Sequence, residues 1–349
     1  MAGGELPGLA ARQLAVQALL RVEQEGAYLQ LALRALLARR SATPARAALA
    51  TALATGVLRW RDRLDYALGR VSRRPVASLD PALRQILRVA AYEVGFGRET
   101  PAPVAVDLAV RQARALGPGP AAFANGVLRA LVRAASGGLP APEAGPLEAR
   151  LAVTYSHPAW MVRRWLQRFG SETTEAILRA NNEPVPAAVR VNGLRTSPAA
   201  LAERWRALGL EARPSPLVPE GLVVERLRAS PEALPGFEEG LFTPQSEAAM
   251  LAGRLAAARP GEWAADLCAA PGGKSTHLAE ASGDEARIAA VDIHPARLRL
   301  VGRNARRLGL GSVRPVAADA RRPPLPPGRL DLVMLDAPCT ALGTIARHP

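Results

Sequence analysis

The chain has 349 residues, 49% of them hydrophobic, and a formal net charge of +14 with a pI near 11.2. That length predicts two or three domains with ample buried core, and apolar runs repeatedly broken by arginine exclude a bilayer-spanning segment. Two cysteines, Cys268 and Cys339, and four scattered histidines exclude a disulfide scaffold and the spacing of a zinc site.

Lys274 is the only lysine, so 45 − 1 = 44 of the basic residues are arginines. The preference for Arg over Lys reads as the codon usage of a GC-rich genome, in step with the heavy use of Ala, Gly and Pro. The surplus of positive charge is a separate matter and favours a polyanionic partner, most often nucleic acid. Met1-Ala2-Gly3-Gly4-Glu5 lacks the basic and apolar segments of a signal peptide. The expectation is a cytoplasmic monomer with no membrane and no metal.

Residues 8–135 read as six or seven helices. Leu29, Leu33, Leu36 and Leu37 follow the three-four spacing of an amphipathic helix, as do Leu83, Ile86, Leu87 and Ala90 after the Asp80-Pro81 start signal. Arg59, Arg61, Arg63, Arg70, Arg73 and Arg74 form a basic run, either a solvated face or a patch turned to nucleic acid. The Gly/Pro-rich stretch from Ser136 reads as a linker. The division expected is a helical domain over 1–137, a linker over 138–148, a small α+β unit over 149–244 and a partial α/β domain over 245–349. In the small unit, helices are expected over 158–169, 172–180 and 198–208, and strands over 188–192 and 221–227. Trp160, Trp165 and Trp205 are expected in its core. Gln245 and Ser246 resemble the N-cap of the next helix.

From Gly261 strands and helices alternate: strands over 262–267, 287–292, 312–317 and 330–336, and helices over 275–280 and 295–308. This is a doubly wound α/β sheet of Rossmann type. Four strands are few for such a sheet, and it is expected to be incomplete as given.

The first strand runs into Asp266-Leu267-Cys268-Ala269-Ala270-Pro271-Gly272-Gly273-Lys274-Ser275, a strand-to-helix turn that brings backbone N–H groups and a helix N-terminus close to a ligand. The sole lysine lies in this turn and is expected to be chemically required. A P-loop would need glycine where Cys268 stands, and the dinucleotide pattern G-x-G-x-x-G is absent. S-adenosyl-L-methionine binding fits better. Asp292 ends the second strand 20 residues after Gly272 (292 − 272), where it can accept from both ribose hydroxyls, and Asp319 ends the third, where an adenine amino group can donate. The fourth strand delivers Asp336-Ala337-Pro338-Cys339 to the same sheet edge.

Asp-x-Cys-Ala-Ala-Pro-Gly-Gly-Lys (266–274) with Asp-Ala-Pro-Cys-x-Ala-x-Gly (336–343) resembles the RNA cytosine-5 methyltransferases. The domain order resembles their RsmB (Sun) branch, the 16S rRNA methyltransferases whose N-terminal domain is like the NusB antitermination factor. Arg84-Gln85-Ile86-Leu87-Arg88 and Asn125-Gly126-Val127-Leu128-Arg129 are similar to that domain. The resemblance implies methylation of carbon 5 of a cytosine in 16S rRNA, the family-type target being C967. It implies that Cys268, Ala269, Ala270, Pro271, Gly272, Gly273 and Lys274 line the methionine end of the cofactor and that Arg297 supports its site. It places Asp292 on the ribose, Asp319 at the adenine, Asp336 on the cytosine edge near the cofactor, and Cys339 at product release. Carbon 5 is a poor nucleophile until a thiolate adds at carbon 6, and an acid at the ring nitrogen stabilises the charge that builds there. Lys274 would hold the base or lower a nearby thiol pKa. In the RNA enzymes the attacking thiol comes from a Thr-Cys segment after the fifth strand. This chain has no such segment, so the expectation is an incomplete reading of a longer protein, inactive alone. The competing expectation is an RNA-binding, antitermination-like protein carrying a degenerate α/β scaffold.

Overall fold

A computed structural model describes residues 8–347 except 98, 226, 228 and 229. The chain divides into two compact units, Met1–Pro184 with Gly343–Pro349, and Val185–Leu342. Among the described residues no helix is long and apolar enough to cross a membrane.

The first unit is helical: α1 (Leu9–Glu25), α2 (Leu29–Arg39), α3 (Pro44–Arg59), α4 (Arg61–Val71), α5 (Pro81–Phe96), α6 (Ala102–Arg114), α7 (Pro118–Ala134), α8 (Leu147–Tyr155) and α9 (Ala159–Asn182). Cap-plus-proline pairs start two of these helices. Thr43 accepts from Arg46 N–H ahead of Pro44, and Asp80 accepts from Ala82 and Leu83 N–H ahead of Pro81. Helix α5 is the hub, packing on α1, α3, α4, α6 and α7 with Leu83, Ile86, Leu87 and Ala90 buried. The NusB-like stretch 84–88 has a packing explanation. Gln85 donates to Glu23 at 3.0 Å, Arg84 and Arg88 lie 3.1 and 3.2 Å from the same carboxylate, and Arg88 grips Asp65 through two bonds of 2.7 Å. Arg12 and Glu93 form a second pair, buried on both sides. Removing one partner of such a pair strands a buried charge at a cost of about 3–5 kcal/mol.

The expected helices 158–169 and 172–180 are the two arms of α9, which bends at Gly170 (φ 75°). The expected linker is not free of packing: Leu139 is buried in the helical core and α8 begins at Leu147. Trp205 is fully buried, as expected, and Trp165 is partly buried. Trp160 is not in the core; it is 58% exposed, because α9 buries Met161 and Val162 instead. The basic run also splits. Arg59 donates to the Asn181 carbonyl and Arg63 to that of Leu139, so these two are structural, while Arg61, Arg73 and Arg74 keep substantial exposure.

The second unit opens with β1 (Ala187–Val191), α10 (Pro198–Ala207), β2 (Ala212–Pro214), β3 (Gly221–Val224), β4 (Phe242–Pro244) and α11 (Glu247–Ala256). The strands form an antiparallel sheet in the order β2-β3-β1-β4, its core built from Val189, Val191, Trp205, Leu222 and Phe242. Residue 226 of the expected strand 221–227 lies outside the described residues. Ser246 caps α11 by accepting from Ala249 N–H; Gln245 does not cap but binds Arg190.

Then come β5 (Trp263–Asp266), α12 (Gly273–Ala281), β6 (Arg287–Asp292), α13 (Pro295–Leu308), β7 (Val313–Ala317) and β8 (Leu332–Met334). All four strands are parallel, in the order β7-β6-β5-β8. The chain winds outward from β5 to β7 and then crosses to the other side of β5. The order therefore reverses beside β5, and ligands of open α/β sheets bind at such a reversal, outside the carboxyl ends of the strands. Strand β8 is shorter than the 330–336 expected, and only Met334 of it is buried, with Val333 and Leu335 exposed.

Candidate active site

Strand β5 ends at Asp266, and the turn 267–272 carries the chain into α12. The turn is pinned from three sides. Ala269 N–H donates to the Val291 carbonyl of β6 at 2.9 Å, Leu267 N–H to the Met334 carbonyl of β8 at 3.0 Å, and Asn304 of α13 to the Pro271 carbonyl at 2.9 Å. Gly272 has φ +106°, and a Cβ there would stand 3.1 Å from Val301 Cα, so both backbone and space require glycine. The N-terminus of α12, including Gly273 and Lys274, thereby faces the strand ends.

Asp266 is buried beneath the turn, where its carboxylate accepts from Ser275 Oγ at 2.7 Å and Cys268 N–H at 3.4 Å. Burial pushes this carboxyl up, against those bonds and the charge of Lys274. Burial also raises the Cys268 thiol, helped by the charges of Asp266, Asp292 and Asp336 and opposed by Arg297. Cys268 is thus held as a thiol rather than a nucleophilic thiolate. Lys274 is not among the charges that act on this thiol. Lys274 Nζ lies 2.5 Å from Asp336 Oδ2, so its charge is directed at the exposed carboxylate after β8.

Asp292 closes β6 with its carboxylate against the turn, accepting from His294 N–H at 2.9 Å and Ala270 N–H at 3.3 Å. Burial alone would raise it, but these N–H groups and Arg297 hold it below the usual carboxylate range. His294 Nδ1 also lies 3.4 Å from Oδ1, so of about four acceptor positions on the carboxylate about one stays open for a sugar hydroxyl. Asp319 follows β7, and Ala318 N–H bonds the Asp292 carbonyl at 3.2 Å, tying the two strand ends together. Arg321 grips the Asp319 carboxylate and holds it down to about 2. An adenine amino group would share Asp319 with that guanidinium. Cys339, three residues past Asp336, is exposed, and Ala341 N–H donates to its Sγ at 3.4 Å. The strand ends thus gather the turn, Asp292, Asp319, Lys274 and Asp336. Cys339 lies further along the exposed loop.

These features coincide with the segments that match known families. Residues 9–133 match the NusB family, 157–229 a ferredoxin-like domain of RsmF/B-like methyltransferases, and 254–349 the 16S rRNA methyltransferases RsmB/F. The chain is 32% identical over 343 residues to a probable ribosomal RNA small subunit methyltransferase B of Bacillus subtilis, covering 97% of this chain and 75% of the relative. It is 33% identical over 344 residues to the Synechocystis protein of the same description, covering 98% and 77%. This chain belongs to the ribosomal RNA small subunit methyltransferase B family. It spans about three quarters of the length of these family members. The crystal structure of PH0851 matches 99% of this chain and 77% of its own, with a TM-score of 0.75 at 26% identity. A methyltransferase homologue from Pyrococcus horikoshii matches 58% and 67%, with a TM-score of 0.51 at 30% identity. Membership makes the chain an rRNA methyltransferase with a methyltransferase fold.

Sequence reasoning missed the support of the glycine turn. Arg190 of β1 is fully buried. It bonds Glu280 of α12 through Nε and Nη2, both at 2.9 Å, Thr276 Oγ1 at 2.9 Å, the Gly273 carbonyl at 2.6 Å and Gln245 Oε1. The available signal was an arginine set in the apolar strand Val189-Arg190-Val191. Such a residue is affordable inside a core only if its whole guanidinium is paired.

Proposed function

We propose that the protein transfers a methyl group from S-adenosyl-L-methionine to carbon 5 of a cytosine in 16S rRNA, with C967 as the family-type target. The observation that carries this reading is Asp292. It is a depressed carboxylate with one acceptor position left over, held beside a glycine turn and a helix N-terminus. When bound, the sulfonium supplies an electrophilic methyl group. Asp292 would hold the ribose and Asp319 the adenine, with residues 268–274 around the methionine end and Arg297 supporting Asp292.

Asp336 would hold the proton shared with the cytosine ring nitrogen and stabilise charge building there, with Lys274 fixing its carboxylate. Cys339 is assigned to product release. The attack on carbon 6 is assigned to a Thr-Cys segment that these 349 residues do not contain. We place the helical domain at 1–137, a linker at 138–148, the RNA-binding α+β unit at 149–244 and the methyltransferase domain at 245–349, in a cytoplasmic monomer.

Calorimetric titration with S-adenosyl-L-methionine tests the cofactor. Binding is expected, and Asp292→Ala is expected to weaken it at least tenfold, about what one charge-assisted hydrogen bond supplies. An affinity indifferent to Asp292→Ala would refute the assignment. Bisulfite sequencing of unmethylated 16S rRNA after incubation tests the position. Robust methylation by the 349-residue chain, abolished by Cys339→Ala, would overturn the assignment of the attacking thiol.

A further inference from the structure

Helix α13 and strand β7 enclose an open groove of about 710 Å³ that the cofactor reading does not use. Three arginines of α13 line it, Arg299, Arg303 and Arg306, spaced by four and three residues and so on one face of the helix. From 299 to 306 they run roughly 10 Å along the axis. All three are exposed, and none has a hydrogen bond or ion pair among the described residues. Most other arginines of this unit are engaged. Arg190, Arg204, Arg213 and Arg254 have carboxylates, Arg307 binds carbonyls, and Arg321 holds Asp319.

The surroundings leave the charge uncompensated. Residues 293–318 contain six arginines (297, 299, 303, 306, 307 and 314) and no Asp or Glu. The floor is small and apolar, with Gly302, Pro315 and Ala317. Strand β7 is the outermost strand, yet its exposed Pro315 offers no N–H, which disfavours capture of an added β-strand. One end of the groove is formed by Pro295 and Ala317, three residues after Asp292 and two before Asp319. The track therefore ends at the rim that holds the candidate site.

We propose that this groove is a docking track for the phosphate backbone of single-stranded RNA, laying the substrate strand along α13 toward the catalytic rim. The inference rests on the RNA methyltransferase reading above. Unpaired guanidiniums at successive turns suit bidentate contacts to successive phosphates, and the flat apolar floor admits sugars and bases without demanding a sequence.

The test compares the parent with the triple variant Arg299→Gln/Arg303→Gln/Arg306→Gln. The probe is a fluorescein-labelled single-stranded 20-mer of 16S rRNA sequence, read by anisotropy from 50 to 300 mM KCl. The triple variant is expected to bind roughly 500-fold more weakly at 50 mM KCl and roughly 10-fold more weakly at 300 mM. Its slope of log affinity against log salt should fall by about 2, near 0.7 per lost phosphate contact. Melting temperature and S-adenosyl-L-methionine affinity should match the parent. Parent-like RNA affinity and slope in the variant would overturn the track alone, whereas a parent that binds no RNA would overturn the RNA reading with it. A labelled poly-aspartate peptide forms the last arm: its loss in the variant, with RNA binding intact, would assign the groove to an acidic protein and refute the proposal.

Discussion

Arg190→Met isolates the contribution of the buried arginine beneath the glycine turn. Methionine keeps much of the side-chain volume and removes the guanidinium from Glu280, Thr276, Gly273 and Gln245. Glu280 is buried, so it would be left as an unpaired carboxylate in the core or take up a proton. Breaking such a pair costs about 3–5 kcal/mol. For a unit of this size each kcal/mol lowers Tm by about 2–4 °C, so the expected drop is about 6–20 °C. The double variant Arg190→Met/Glu280→Gln removes both charges and is expected to regain more than half of the loss. Even then the Gly273 carbonyl has lost its anchor, so cofactor affinity should stay below that of the parent. Thermal melts and urea titrations of the four-member cycle measure the coupling, and calorimetry measures the affinity. A loss below about 1 kcal/mol in Arg190→Met, or no recovery in the double variant, would refute the reasoning.

His277 of α12 is buried, with its pKa lowered to about 3 by burial and by the charges of Arg190 and Arg254, despite Glu220 at 3.1 Å from Nε2. Between pH 6.5 and 3 the unfolded chain holds this proton and the folded chain does not, so stability falls as pH falls, by about 2 kcal/mol from 6.5 to 5. His277→Asn should flatten that limb of a stability-pH curve, and parallel curves for parent and variant would contradict it. Gly272→Ala forces φ +106° on a residue with Cβ and presses Val301, so about 1–3 kcal/mol of strain should surface in urea melts and as weaker cofactor binding. Lys274→Met breaks a pair whose Asp336 partner is exposed, so Tm should stay within about 2 °C. Methyl transfer should still fall at least about 100-fold, the low end for a misplaced acid–base group. Unchanged turnover would remove Lys274 from the mechanism.

The legible parts of the sequence were those in which one residue type has one local job. Proline after Asp80 marks a helix start, because side-chain oxygen and fixed φ act within one turn. Strand β6 and helix α13 were found at 287–292 and 295–308 because their apolar spacing is unbroken. The turn with Asp292 and Asp319 was found because sheet topology alone carries three strand ends to one rim. What escaped depends on partners distant in the chain. Trp160 fits a helical core by spacing, but which side of α9 meets a neighbour is decided by the bend at Gly170 and by α8. Gln245 resembles a cap until Arg190, 55 residues away, competes for its oxygen.

The same distinction explains why the candidate motifs were easier to read than their foundation. The residues assigned to the cofactor lie in a short turn and just past the adjacent strand ends, which occupy one small volume. The groups that keep the turn rigid come from wherever the fold can spare a buried charge, here β1 of the antiparallel sheet and Asn304 of α13. Arg190 ties that sheet to the helix that starts at Gly273, so a displacement of β1 would be felt at the carbonyl that opens α12. A contact made by the antiparallel sheet therefore has a direct covalent and hydrogen-bonded route to the geometry of the glycine turn. The arginines of α13 share a helix with Asn304 and Val301, which do meet the turn, but among the described residues Arg299, Arg303 and Arg306 make no hydrogen bond or ion pair to it. The two sets of arginines should therefore separate experimentally: Arg190 changes affinity for the small cofactor, and the α13 ladder changes affinity for the polymer alone.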